Sequence, residues 1–200
     1  KESAMEDQRG QLGALAGVRV VDLTQALAGP YATMLLADLG ADVVKVEPPS
    51  GDGTRLQGPY TPDDDVHAYG GYFASVNRNK RSIAIDLKSD KGKWLLRRLA
   101  GSADVLIENY RVGVMDRLGL SYESLRQENP RLIYTAIRGF GDPRTGRSPY
   151  TDWPAFDVVA QAMGGFMGIT GPGPGHPTKS GPGIGDIFPA ALAIVGTLAA

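Results

Sequence analysis

The sequence predicts an α/β domain built on a parallel, Rossmann-like sheet, and three observations carry that expectation. Short runs rich in Val, Ile and Leu recur along the chain. Helix start signals, at Pro30, Ser89 and Ser121, fall between them. A chain of 200 residues that is 42% hydrophobic can also bury one sizeable core. Strands that alternate with helices build a parallel sheet covered on both faces.

Each element has its own signal. Val18-Arg19-Val20-Val21-Asp22-Leu23 reads as the first strand, and Pro30 opens a helix over 31–39 that Gly40 ends. A second strand follows over 42–47 and a third over 82–87. Ser89 caps a helix reaching about residue 99, and Val105-Leu106-Ile107 is the next strand. Ser121 caps a helix with Glu123 early in it, which leads to a strand over 132–137. The apolar stretch 187–200 reads as a helix without a terminating Gly, Pro or basic turn, so the chain is expected to continue past it. Residues 1–14 lack the apolar core of a signal peptide and read as a disordered tail or expression remnant, with the domain occupying 15–200.

Composition removes several function classes. The 21 Lys and Arg against 22 Asp and Glu give a net charge of -1, so no global field recruits nucleic acid or an anionic membrane. An anionic ligand must then be held by a local cluster. No apolar stretch is long enough to span a bilayer. The absence of Cys excludes disulfides and thiolate catalysis, and fits a reducing, cytoplasmic compartment. No G-x-G-x-x-G follows the first strand, and P-loop, G-x-S-x-G and H-E-x-x-H patterns are missing. His67 and His176 have no second His at ligand spacing, and no metal is expected.

In open parallel sheets, ligands bind beyond the carboxyl ends of the strands. Three loops therefore carry the expected chemistry, 24–29, 108–113 and 139–153. The polar excursion 48–72, with Asp63-Asp64-Asp65, is functional or disordered, and its acidic triplet reads as solvated surface. Gly171-Pro172-Gly173-Pro174-Gly175 is a stiff loop or a mobile lid.

Two local patterns bear chemistry. Asp186 follows the glycine-rich turn Gly181-Pro182-Gly183-Ile184-Gly185 and opens an apolar helix. It suits a helix N-cap first, and a nucleophile second, since an ionised carboxylate needs no general base to deprotonate it at neutral pH. Arg78-Asn79-Lys80-Arg81, after the aromatic segment Tyr69-Gly70-Gly71-Tyr72-Phe73, suits a phosphorylated adenine nucleotide or a solvated basic turn.

Several segments together resemble the class III CoA-transferase family, the CaiB/BaiF type that includes formyl-CoA transferase and, as a divergent branch, alpha-methylacyl-CoA racemase. They are 15–23 with Ala28-Gly29-Pro30, then 39–47, Asn79-Lys80-Arg81-Ser82-Ile83, Asp86-Leu87-Lys88, 103–110, Arg117-Leu118-Gly119-Leu120 and 129–134. The resemblance implies a CoA-transferase that moves CoA from an acyl-CoA to a free carboxylic acid, with the CoA thioester as substrate and no permanently bound cofactor. It implies the amino-terminal part of the large domain of an interlocked homodimer, with a small domain and a glycine-rich loop farther along the chain.

In that family the nucleophilic aspartate lies in a Gly-Asp pair at the start of an apolar helix, which Gly185-Asp186 matches. The resemblance implies attack by Asp186 on the acyl-CoA carbonyl and an aspartyl-CoA thioester intermediate. It places Asp157 near the nucleophile as a second catalytic carboxylate, although a first-turn acid of a helix after Pro154 fits those residues as well. It places Asn79, Lys80, Arg81, Asn109, Tyr110, Arg117 and Leu118 near the nucleotide or pantetheine arm. Two departures matter. Phe156 stands where the racemases carry an acid/base His, which argues against the alternative of a racemase-like isomerase. Leu27 stands where formyl-CoA transferase has a glutamine, so the acid substrate does not follow from formyl or oxalate chemistry. A non-catalytic CoA-binding protein is the remaining alternative, and it would not need Asp186.

Overall fold

The computed structural model describes residues 13–200, and the tail expected at 1–14 lies outside the described residues apart from its last two positions. Five parallel strands form one sheet in the order β3-β2-β1-β4-β5. They are β1 (Arg19–Asp22), β2 (Asp42–Glu47), β3 (Arg81–Ala84), β4 (Val105–Glu108) and β5 (Ile133–Ala136). Val20 stands opposite both Val43 and Val105, so the three central strands are β-branched where they meet.

The two-residue period of the strands sends alternate side chains to two separate cores. Val20, Val43, Val105 and Ile107 face helices α1 (Ala28–Asp38) and α8 (Ile184–Ala199), packing with Ala32, Leu36, Ala190 and Ile194. Val21, Leu23, Val46 and Leu106 face the other side, where α3 (Asp90–Ser102), α4 (Val114–Arg117) and α5 (Tyr122–Glu128) supply Leu96, Ala100, Met115 and Leu125. Burying each such Leu contributes about 1.5 to 3 kcal/mol. The remaining helices are α2 (Gly71–Asn77), α6 (Asp157–Met163) and α7 (Phe166–Ile169). Among the described residues, no helix is long and apolar enough to cross a membrane.

The capping signals fall where expected, with Ser89 Oγ accepting from Gly92 N at 3.0 Å and Ser121 Oγ from Ser124 N at 3.3 Å. Boundaries shift where side chains compete with the ladder. The third strand ends at Ala84 rather than 87, because the Asp86 carboxylate takes the Lys88 N–H and its carbonyl takes the Ser89 hydroxyl, turning the chain into α3. The helix expected from 187 begins at Ile184, which makes Asp186 its third residue rather than its N-cap. Gly183 holds the cap position and no side chain caps the helix, so the capping alternative for Asp186 falls away.

The polar excursion is ordered by buried charge rather than by apolar periodicity. Arg55, in a 3-10 turn at Gly53–Leu56, grips Glu47 at the end of β2 through Nε at 2.7 Å and Nη2 at 2.6 Å and lies 3.7 Å above the Phe73 ring. Lys45 pairs with Asp52 at 3.1 Å and donates to the Thr24 carbonyl at 2.7 Å. The aromatic segment before the basic cluster is α2, whose Phe73 and Val76 are buried.

Candidate active site

The chain leaves β1 toward β2 and leaves β4 toward β5, so the loops after these adjacent strands diverge and open a crevice at the carboxyl edge. Asn109 spans the divide. Its Nδ2 donates to Gln25 O at 2.8 Å and its Oδ1 accepts from Gln25 N at 2.9 Å, a reciprocal pair that fixes both loops. After β5, the buried Arg138 guanidinium forks onto the Glu108 carboxylate and donates to Tyr110 O at 2.8 Å. Tyr110 N in turn donates to Glu108 Oε2 at 2.8 Å. The three expected loops are thus fastened to one another by their own polar groups.

They enclose a cleft of about 550 Å³ lined by Gln25, Asn109, Tyr110, Arg111, Arg117, Phe156 and Asp186, among others. Its far wall is aromatic, with Trp153 lying 4.9 Å from Tyr150, centroid to centroid, and Trp153 and Phe156 both exposed. Burial, and after it the Glu108 charge, push the Tyr110 phenol up to about 12, so it stays protonated at neutral pH. Arg111 and Arg117 enter none of the ion pairs formed among the described residues, whereas Arg138 beside them is paired.

Two carboxylates meet at the start of α8 and differ in every respect that chemistry depends on. Asp157, first residue of α6, accepts from Gly185 N at 2.8 Å and from Gln161 Nε2 at 2.9 Å on both oxygens, and pairs with Lys179 Nζ at 3.1 Å. Burial pushes its proton affinity up, but these bonds outweigh burial and hold it below the usual carboxylate range. Asp186 is half-buried, and its carboxylate accepts no hydrogen bond among the described residues. Burial first, and the Asp157 charge second, raise its proton affinity, with Lys179 opposing. The bare carboxylate faces the cleft; the saturated one sits behind it. The approach of α6 to α8 leaves Gly185 no room for a side chain, since a Cβ there would stand 2.7 Å from Asp157 O and 2.9 Å from Ala160 Cβ.

Of the residues singled out in the sequence, Asp186, Asn109, Tyr110 and Arg117 line this cleft and Asp157 adjoins it through Gly185. The basic cluster does not. Arg81 opens β3 at the amino edge of the sheet and its guanidinium holds Asp42 at 2.7 and 2.8 Å. Asn79 takes a left-handed turn, φ 62°, and its Nδ2 donates to Asp38 at 2.8 Å beside Arg78 on the same carboxylate. Lys80 is buried, with Nζ on Asp22 Oδ2 at 3.1 Å, Pro30 O at 2.9 Å and Asn77 Oδ1 at 2.8 Å. Leu118 packs against the core on the α3 side. Lys80 is partnered in the interior and Arg78, Asn79 and Arg81 hold acids at the surface, so the side chains of the cluster are taken up by the domain's own groups away from the cleft.

Sequence reasoning missed Gln161, Lys179 and Arg111. The Asp157-to-Gln161 spacing of four on a helix was a usable signal, since such residues share a face. Lys179 had none, because the irregular segment that carries it has no period.

A family model described as CoA-transferase family III matches residues 15–200. A succinyl-CoA:mesaconate CoA-transferase of Haloarcula hispanica is 57% identical over 94% of this chain and 48% of its own length. A formyl-CoA:oxalate CoA-transferase of Streptomyces avermitilis is 48% identical over 94% of this chain and 44% of its own. The crystal structure of a CaiB/BaiF family protein from Brucella suis superposes with a TM-score of 0.88 at 43% identity, covering 94% of this chain and 49% of that one. The chain spans about half the length of the curated relatives it matches.

Proposed function

The chain belongs to CoA-transferase family III, and we propose that the protein it comes from transfers CoA from an acyl-CoA to a short dicarboxylic acid, with Asp186 as the nucleophile. The observation that carries this reading is the bare carboxylate of Asp186, set in the first turn of a 16-residue helix and lining the cleft between diverging loops. Helix N–H groups and their partial positive charge favour the oxyanions that develop beside it. Burial and then the Asp157 charge raise the proton affinity of this carboxyl, and Lys179 opposes them.

An Asp186 oxygen attacks the thioester carbonyl, expelling CoA thiolate and leaving a mixed anhydride. The thiolate attacks the aspartyl carbonyl of that anhydride, which releases the donor acid and leaves an aspartyl-CoA thioester. The acceptor carboxylate attacks this thioester and expels the thiolate again. Thiolate attack on the acceptor's acyl carbon then yields the new acyl-CoA and restores Asp186. Asn109, Tyr110 and Arg117 hold CoA, and Lys80, Arg81, Asn79 and Leu118 support the fold that presents them. The relatives' names supply the acceptor class, since mesaconate and oxalate are both dicarboxylates. Arg111 and Arg117 are the cleft's cations without an acid partner among the described residues, and they suit the phosphate and second-carboxylate charges such a pair of substrates brings.

The same reading makes the protein a cytoplasmic homodimer. Phe188, Leu192, Val195 and Leu198 form an exposed apolar stripe along α8, which supports a covering partner surface. The test of the function is an acceptor panel on the full-length protein, with succinyl-CoA as donor. Transfer to dicarboxylates at least about tenfold faster than to monocarboxylates of equal length supports the reading, since a charge-assisted contact is worth about 1.5 to 3 kcal/mol. Hydrolysis or binding of CoA esters without new thioester overturns it.

A further inference from the structure

Because the Asp186 carboxylate is tied by no hydrogen bond of its own, its position depends on the backbone that carries it into α8. That backbone is held at Gly185, whose N–H donates to Asp157 Oδ1 at 2.8 Å. Asp157 is in turn held by Gln161, one turn along α6, through Nε2 contacts of 2.9 Å to each carboxylate oxygen. The other end of the same amide, Oε1, accepts from Ser180 N at 2.9 Å. Gln161 is 2% exposed. One buried amide thus joins α6, the segment 170–183 and the entry to α8.

We propose that Gln161 is a positioning residue of the transfer reaction, holding Asp157 as an ionised acceptor and, through Gly185 and Ser180, setting where the Asp186 carboxylate stands in the cleft. This rests on the reading of Asp186 as the nucleophile. The role needs an amide, because one end must donate to a carboxylate while the other accepts from a backbone N–H. An ionised Glu has no donor, and it would set a second carboxylate against Asp157. A protonated Glu regains one donor and restores the arrangement. The other charged or titratable groups facing this pair are Lys179 from the segment 170–183, Asp186 from α8 and the Tyr72 phenol from α2. Helix α7, Phe166–Ile169, contributes none.

The test compares wild type, Gln161→Glu and Gln161→Leu in the full-length protein, with turnover and the Michaelis constant for acyl-CoA followed from about pH 5 to 9. Wild-type turnover shows no falling limb across this range. Gln161→Glu adds a falling limb, because two facing carboxylates share one proton only at low pH, and it loses at least about tenfold between pH 5 and 8. Gln161→Leu is slowed about tenfold or more at every pH without a falling limb, and both variants keep the Michaelis constant within about threefold. A Gln161→Glu profile parallel to wild type overturns the proposal. Amide exchange of the Leu variant without substrate gives a second decision. Lost protection in peptides covering Ser180 and Gly185, with β4 unchanged, supports it, and unchanged protection there overturns it. Should wild type itself transfer no CoA, the nucleophile reading fails, and the exchange result still decides whether Gln161 orders the entry to α8.

Discussion

Lys80, just before β3, and Arg117, at the end of α4, are both cations near the sheet, yet they stand in opposite circumstances. Lys80 is buried against Asp22, Asn77 and the Pro30 carbonyl, and Asp22 also accepts from Thr24 Oγ1 at 2.5 Å and Thr33 Oγ1 at 2.7 Å. Burial depresses the Lys80 ammonium to about 8 even with Asp22 beside it. Arg117 is exposed in the cleft, outside every ion pair of the described residues. A buried charge that is fully partnered holds structure, because taking it out of water demands that its bonds be filled from within. A charge left open at the carboxyl edge has that capacity free for a ligand. The same contrast separates Asp157 from Asp186 and decides which of two neighbouring carboxylates is available to react.

The sharpest way to break the comparison is to exchange the consequences of its two halves. Lys80→Met leaves Asp22 buried without its nearest cation and should cost about 3 to 5 kcal/mol of stability, read from urea unfolding. The Michaelis constant of the folded fraction should not move. Arg117→Ala should leave unfolding within about 0.5 kcal/mol of wild type while raising the Michaelis constant for CoA esters about tenfold or more, with turnover less affected. Should Lys80→Met instead weaken CoA binding with stability intact, the assignment of the two cations is reversed. Arg81→Ala is the smallest change. Its exposed pair with Asp42 is worth about 0 to 1 kcal/mol, and neither stability nor CoA affinity should shift beyond that.

Acid tests the paired region as a whole. Asp22, Glu47 and Asp157 each bind a proton less readily folded than unfolded: burial opposes this, and their cations and hydrogen bonds prevail. Glu47, gripped by Arg55, is brought to about 2. The unfolded chain therefore takes up more protons on acidification, so this stability is present above the ordinary carboxyl range and lost as pH falls from about 4.5 toward 2. Urea midpoints at pH 7, 4.5 and 3 should drop in that order. Activity should fail earlier than stability, because the Asp186 carboxyl titrates above the ordinary Asp value, raised by burial and then by Asp157. Lys179→Met removes the opposing charge and should move that acid limb to higher pH still.

How much of this was legible in the sequence follows from what each element depends on. The three central strands were, because Val20, Val43 and Val105 are β-branched and buried by a local two-residue period, and the edge strands β3 and β5 followed from the same alternation of strand and helix signals. The carboxyl edge that carries the cleft was, because it follows from the strands being parallel, whereas the divergence of the loops after β1 and β4 needed the strand order of the structure. The excursion was not, since Arg55, Glu47 and Asp52 order it through pairs that no period announces. Nor was the fate of Arg78-Asn79-Lys80-Arg81. Their acid partners Asp38, Asp42 and Asp22 lie some forty to sixty positions earlier, and only the fold brings them together. Gly185-Asp186 was visible as a pair, but its support by Asp157 and Gln161 required knowing that α6 packs on α8.

The central claim is that Asp186, and not Asp157, carries the acyl and CoA groups in turn. The most direct measurement is peptide mass mapping of the full-length protein, incubated with acyl-CoA and no acceptor and then treated with hydroxylamine. A carboxylate converted to its thioester yields a hydroxamate, which a free or hydrogen-bonded carboxylate does not. The account predicts a single modified peptide with the label on Asp186, absent when Asp186 is replaced by Asn. A hydroxamate on Asp157, or full turnover in the Asp186→Asn protein, would contradict it.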